Sequence, residues 1–253
     1  MEFRPDMIIW SADVTKTEIE NVINSGALPY GTMIKLDRLF FERESKDFIH
    51  FCENSGYPVF CDAKIIEIPA KALAIAESYL EYRPTMLNIM AGACSTGNWT
   101  TDDINNLDAL KRFAEACHDA AVRSCIVTVL TSKSDRLVDL EYGTSAIDQV
   151  LTYVKMAHHA GFTDIVCSPK EAAIIRKSHA YNNIWLNTPG VRPKGSNADD
   201  QQRITTPGQA FKNGANRVVI GRPLLAGEGP ISERIANNYA SIRKEIETAI
   251  KDL

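Results

Sequence analysis

Eight short apolar segments alternate with longer segments of helical period from end to end, which predicts an α/β fold: a single (β/α)8 TIM barrel of eight parallel strands spanning residues 1–253. Two further observations support this. The apolar runs are continuous, as in strands whose sheet is covered by helices. No linker, low-complexity tract or charge block divides the 253 residues, a length usual for one α/β barrel. An open doubly wound sheet is the rival, but no G-x-G-x-x-G follows the first strand.

In chain order, a strand at 7–13 (Met-Ile-Ile-Trp) precedes a helix at 16–25, and a strand at 32–37 precedes a helix at 45–55. The third strand, 58–63, leads into a helix at 70–82, whose start is marked by Pro69, a residue suited to a first helical turn. Strand 86–90 precedes helix 101–121, and strand 125–131 precedes helix 145–160. Strand 164–167 meets Ser168-Pro169, a hydroxyl cap before a proline, and helix 170–178. Strand 184–188 is followed by an irregular stretch at 189–203 rich in Gly, Asn, Asp and Gln, then by Thr206-Pro207 and helix 207–213. The eighth strand, 217–220, precedes a long helix at 231–250. Each strand is thus expected to carry one helix of its own.

Composition narrows the function classes. An apolar fraction of 45% and a charged fraction of 24% are those of a soluble globular protein. A net charge of −4 without a Lys/Arg-rich block argues against nucleic acid as a partner, though not against a local pocket for one phosphate. No apolar run approaches the 18 or so residues of a membrane span, and the N-terminus lacks a signal-peptide layout, so the expected location is cytoplasmic. The six cysteines are scattered without a C-x-x-C pair, and adjacent His158 and His159 point to different faces of a helix. Reduced, mostly buried thiols and no structural metal are expected.

The most informative segment is Val59-Phe60-Cys61-Asp62-Ala63-Lys64-Ile65-Ile66-Glu67-Ile68-Pro69, which puts two carboxylates and an ammonium at the end of an apolar strand. On an extended strand Asp62 and Lys64 point the same way, while Glu67 lies beyond it. Charges this close perturb one another, as sites of proton chemistry require; a buried ion pair fixing a strand end is the structural alternative. In a barrel the active site lies at the carboxyl ends of the strands. Those ends deliver Asp13, Lys35 with Asp37, Asp62 with Lys64, the Ala91-Gly92-Ala93 turn, Thr131-Ser132, Ser168, Arg192 and Gly221-Arg222. Loops after strands seven and eight are the usual phosphate site, and there Gly221 permits close backbone approach while Arg222 and Arg192 supply guanidiniums. The 189–203 loop, with Arg192, Lys194, Gln201 and Gln202, is placed to close over a phosphate.

Taken in order, Thr128-Val129-Leu130-Thr131-Ser132, Val166-Cys167-Ser168-Pro169-Lys170-Glu171-Ala172, Thr188 to Pro193, Asp200-Gln201 and Ile220-Gly221-Arg222-Pro223 resemble the bacterial orotidine 5′-monophosphate (OMP) decarboxylase family over nearly the whole chain. That resemblance implies conversion of OMP to UMP and CO2 in pyrimidine biosynthesis, without metal or organic cofactor. It implies that Asp13 binds ribose hydroxyl, that Lys35 holds ribose and charge network, that Asp62 stresses the substrate carboxylate and that Lys64 protonates C6. Thr131 would line the pyrimidine side, and Arg192, Gln201, Gly221 and Arg222 would hold the phosphate. It also implies a homodimer in which the last acid of the strand-three motif, here Glu67, completes the catalytic set from near the partner's site.

The chain departs from the family pattern in two places. Asp-x-Lys-x-x-Asp followed by Ile-Pro-Asn-Thr becomes Glu67 followed by Ile68-Pro69-Ala70-Lys71, and His-Ala-Ser-Gly-Gly after strand four becomes Met90-Ala91-Gly92-Ala93-Cys94. Both lie at the reacting end. Two alternatives therefore stay open: a diverged barrel acting on another phosphorylated substrate, similar to sugar-phosphate decarboxylases and aldolases, and a non-catalytic nucleotide-binding paralogue.

Overall fold

A computed structural model describes residues 1–94, 107–193, 205–251 and 253. Eight parallel strands close into a barrel in sequence order: β1 Ile8–Ser11, β2 Met33–Asp37, β3 Val59–Ile65, β4 Met86–Met90, β5 Arg123–Val127, β6 Asp164–Val166, β7 Trp185–Thr188 and β8 Arg217–Ile220. β8 returns to pair with β1 through Ile8↔Val218 and Trp10↔Ile220, so no edge is left unpaired.

The described helices outside are α1 Lys16–Asn24, α2 Arg38–Arg43, α3 Phe48–Asn54, α4 Pro69–Leu80, α5 Asp108–Asp119, α6 Asp135–Tyr142, α7 Ala146–Ala160, α8 Pro169–Ile175, α9 Pro207–Lys212, α10 Arg222–Leu225 and α11 Ile231–Ile250. None is long and apolar enough to cross a membrane. The expected strands recur at their positions, but the expectation of one helix per strand is corrected: β2, β5 and β8 each lead into two. α2 is short and capped by the side chain of Asp37, which accepts from Phe40 N at 2.9 Å. α6 starts at the Ser134 cap and ends at Gly143, whose φ of 67° is the left-handed closure that favours glycine.

The fifth strand also differs, running from Arg123 to Val127 rather than through 131. Its neighbour β6 ends at Val166, so nothing remains for 129–131 to pair with; Thr128 makes the last contact, its Oγ1 donating to Val166 O at 2.8 Å. The first part of the helix expected at 101–121, and residues 194–203 of the irregular stretch expected at 189–203, lie outside the described residues.

Alternation along each strand fills the barrel in layers. Ile9, Met33, Phe60, Met86, Cys125 and Val219, with Val166 packed against them, form an apolar layer across its middle, separate from the larger core between strands and helices. Inward positions at the two mouths are polar. At the amino-terminal mouth the fully buried Asp164 accepts from Arg217 Nη1 at 2.9 Å and from Arg123 Nε at 2.8 Å, while Asn187 Nδ2 donates to it at 3.1 Å. Arg217 also stacks over the Trp185 ring, 4.1 Å from its centroid. A buried charge satisfied on every side is a structural plug, and the apolar layer separates it from the other mouth.

Candidate active site

The carboxyl-terminal mouth holds a cavity of about 290 Å³ bounded by described residues. Its floor is Phe60 and Val219 of the apolar layer. Its walls bring together Ser11 and Asp13 after β1, Lys35 from β2, Asp62 and Lys64 from β3, Thr131 after β5, Arg192 after β7 and Gly221-Arg222 after β8. Eight of the ten residues singled out in the sequence therefore share one cavity. Gln201 lies outside the described residues. Glu67 does not join them: it is exposed, its carboxylate accepts from the Ile68 N–H at 3.1 Å, and it lines a separate hollow with Arg38, Lys46 and Ile75.

The charge cluster converges on one atom. Lys35 Nζ and Lys64 Nζ donate to the same oxygen of Asp62, Oδ2, at 2.7 and 2.6 Å. Lys35 is 11% exposed and Asp62 7%, whereas Lys64 is 44% exposed. The first ammonium is thus fixed in the wall, and the second faces the opening. Burial by itself would raise the Asp62 carboxyl, but the two ammoniums overcome it and hold the group well below the usual carboxylate range. Burial likewise pulls Lys35 down, and Asp62, with lesser help from Asp13 and Asp37, reverses this and leaves Lys35 raised. The cluster is therefore one anion between two cations.

Asp62 and Lys64 meet as expected, but not by simple strand alternation. The β3–β4 register runs Cys61↔Leu87 and then Ile65↔Ile89, so Asp62, Ala63 and Lys64 bulge opposite Asn88 alone. Lys64 has φ 42°, a left-handed conformation that costs a non-glycine residue about 1–2 kcal/mol.

Sequence reasoning missed two polar groups in this mouth. Ser11 Oγ donates to Asp13, 3.2 Å from Oδ2 and 3.3 Å from Oδ1. Asn88, fully buried, donates from Nδ2 to Asp62 Oδ1 at 2.6 Å and accepts from Lys64 N at 2.7 Å. Both are inward positions in apolar strands, and the signal available was period-two alternation carried to the strand interior rather than to its end. Two of the strand-end residues are helix caps, Ser168 as its following proline led one to expect and Asp37 without such a signal. Asp37 caps α2, and Ser168 begins a capping box with Glu171 at α8. Gly221 sits close to the first strand: a Cβ there would lie 3.3 Å from Ser11 Cβ and 3.4 Å from Asp13 Oδ2. Gly92, in the turn after β4, backs onto the Tyr153 hydroxyl, 3.4 Å from where its Cβ would be. Among the described residues no group of three or more His, Cys, Asp or Glu side chains is placed to hold a metal ion.

A closed (β/α)8 barrel with a charged cavity at its strand carboxyl ends is an enzyme-type barrel, since that face carries the active site in this architecture. A profile of the Orotidine 5′-phosphate decarboxylase / HUMPS family matches residues 6–234, and the chain belongs to that family. The orotidine 5′-phosphate decarboxylase of Actinobacillus pleuropneumoniae serotype 5b (strain L20) is 31% identical over 216 residues, covering 83% of this chain and 87% of that protein. The enzyme of the same name from Staphylococcus aureus (strain Mu3) is 29% identical over 205 residues, covering 78% and 82%. Among solved structures, orotidine 5′-phosphate decarboxylase from Lactobacillus acidophilus superposes with a TM-score of 0.73 at 24% identity, covering 94% of this chain and 98% of that one. An uncharacterized conserved protein from Geobacillus kaustophilus gives 0.71 at 22% identity, covering 94% and 99%. At these identities the two structures establish a shared fold.

Proposed function

We propose that the protein decarboxylates orotidine 5′-monophosphate to UMP and CO2. The observation that carries this reading is the Lys35–Asp62–Lys64 cluster in the wall of a cavity that also holds Arg192, Gly221 and Arg222. Arg192 and Arg222 grip the phosphate, a role that the family resemblance extends to Gln201; Asp13 and Lys35 bind ribose hydroxyls, and Thr131 lines the pyrimidine. The bond from C6 to its carboxylate then breaks, CO2 leaves and the electron pair stays on C6. Lys64 Nζ delivers a proton to C6 and regains one from water. Asp62, kept ionised by its lysines, opposes the substrate carboxylate before the bond breaks, and the ammoniums favour the carbanion afterwards. Binding energy from the phosphate, remote from the reacting carbon, offsets that repulsion.

We also infer a homodimer in which Glu67 acts near the neighbouring subunit's site. Support comes from the position of Glu67 outside its own cavity and from Leu39, Ile66, Ile68 and Ile75, all exposed on the adjoining β2–α2 and β3–α4 segments.

The test is UMP and CO2 release from OMP by chelator-treated protein. Turnover supports the reading. Metal-dependent turnover of a pentulose or hexulose phosphate in its place would favour the sugar-phosphate alternative, and tight UMP binding without turnover of either would leave a binding protein.

A further inference from the structure

We propose that Asn88 is a positioning residue for the reaction, holding the Asp62-Ala63-Lys64 bulge so that the Asp62 carboxylate has one orientation and Lys64 projects into the cavity. The substrate named below rests on the decarboxylase reading; the geometry does not.

Three residues of β3 oppose this one residue of β4, so the Lys64 N–H falls outside the regular register and needs a partner. The side chain of Asn88 supplies it. Because Lys64 N can only donate, the atom facing it at 2.7 Å is the amide oxygen, and the atom facing Asp62 Oδ1 at 2.6 Å is then the NH2. This fixes the amide orientation and gives the group two tasks. It ties down the Asp62 oxygen that the lysines leave open, which stops the carboxylate turning about Cβ–Cγ. It also holds Lys64 in its left-handed conformation, which the chain would otherwise relax. A fully buried amide with both ends used in this way links the strand-three anion to the backbone of the proton donor.

Removing the link moves both reacting groups while leaving Arg192, after β7, and Gly221 and Arg222, after β8, in place. Asn88→Ala is therefore expected to lower kcat about 100-fold, as a displacement of about 1 Å does, with KM for OMP changed much less. Asn88→Asp adds a readout that a purely structural role would not move. Charged groups facing position 88 are Asp62 and Lys64 from β3 and, through Asp62, Lys35 from β2; Cys125 lies opposite on β5. Ionised, the new carboxylate repels Asp62. Protonated, it donates to Asp62 and still accepts from Lys64 N. The kcat of Asn88→Asp relative to wild type is accordingly expected to rise as pH falls, and that of Asn88→Ala is not.

A substrate-free measurement separates this proposal from the choice of reaction. Amide hydrogen exchange at Lys64 N–H is expected to be at least about 10-fold faster in Asn88→Ala, while exchange at Cys61 and Ile65 keeps its protection. Unchanged exchange at Lys64, or acceleration spread equally over all of β3, would overturn the positioning role whatever the enzyme decarboxylates. Wild-type kcat in Asn88→Ala, or parallel pH profiles for the two variants, would overturn it for the reaction. Absence of OMP turnover by the wild type would instead count against the decarboxylase reading alone.

Discussion

Asp62 sits where burial and charge pull in opposite directions, and the two lysines decide the outcome. The pH dependence of stability follows from that. The Asp62 carboxyl is depressed in the folded state, so its contribution is complete above the ordinary carboxylate value, about pH 4, and is lost as pH falls through its lowered value. Lys35 is raised, so its contribution is complete below about pH 10 and is lost as pH rises through its raised value. The difference in unfolding free energy between wild type and Asp62→Asn is expected to be flat from about pH 5 to 9 and to narrow below about pH 4. Denaturant titrations at several pH values check this, and a difference that persists unchanged in acid would mean the cluster is not an ion pair in solution. At the other side of the cavity, Arg222→Ala is expected to raise the KM for OMP about 10- to 100-fold with kcat less affected, the loss of one charge-assisted hydrogen-bonding group. A fall in kcat at constant KM would place Arg222 with the reacting carbon rather than the phosphate.

At the scale of elements, residues read alike in the sequence divide into two kinds. Asp37 and Ser168 stand at strand ends as Asp13 and Thr131 do, yet their side chains turn to the N-termini of α2 and α8. For Ser168 the following proline marks the cap in the sequence; for Asp37, followed by Arg38, nothing in local composition separates a cap from a cavity residue. Ser168→Ala is expected to cost about 1 kcal/mol of stability and to leave the kcat and KM for OMP unchanged, which thermal melts and steady-state kinetics would check together. The bulge in β3 was equally hidden. Period two put Asp62 and Lys64 on one side, and they do meet, but through a backbone distortion supported by a residue 24 positions later in the chain. Short helices such as α2 and α6 escaped because six to eight residues hold too few turns to display a period. The overlong fifth strand failed for a non-local reason, the early end of β6.

Across the whole molecule, the order of strands and the closure of the barrel were legible because continuous apolar runs and helical periods are local signals repeated eight times. The interior layering was not, since it depends on which side of each strand faces inward. Its amino-terminal plug makes a separate prediction: Asp164→Ala leaves the buried Arg217 with only the more distant Asp6, at 3.5 Å, as counter-ion and is expected to cost about 3 kcal/mol in unfolding free energy while leaving the KM for OMP intact. The dimer inferred from Glu67 predicts complementation. Two inactive proteins, Glu67→Ala and Lys64→Ala, mixed under conditions that exchange subunits, should recover about one quarter of wild-type activity, because half the dimers are hybrid and each hybrid has one complete site. No recovery despite hybrid formation would put Glu67 in its own subunit's site, and an active Glu67→Ala parent would put it outside the chemistry.

The central claim is that Lys64, held on Asp62 at the mouth of the barrel, delivers the proton as CO2 leaves OMP. Its most direct test is kcat for UMP formation from OMP in chelator-treated wild type and Lys64→Ala, with folding of both confirmed by circular dichroism. The account predicts turnover by the wild type and a fall of about 10²- to 10⁴-fold in the variant, the range for loss of a positioned proton donor. Equal rates in the two proteins would contradict it.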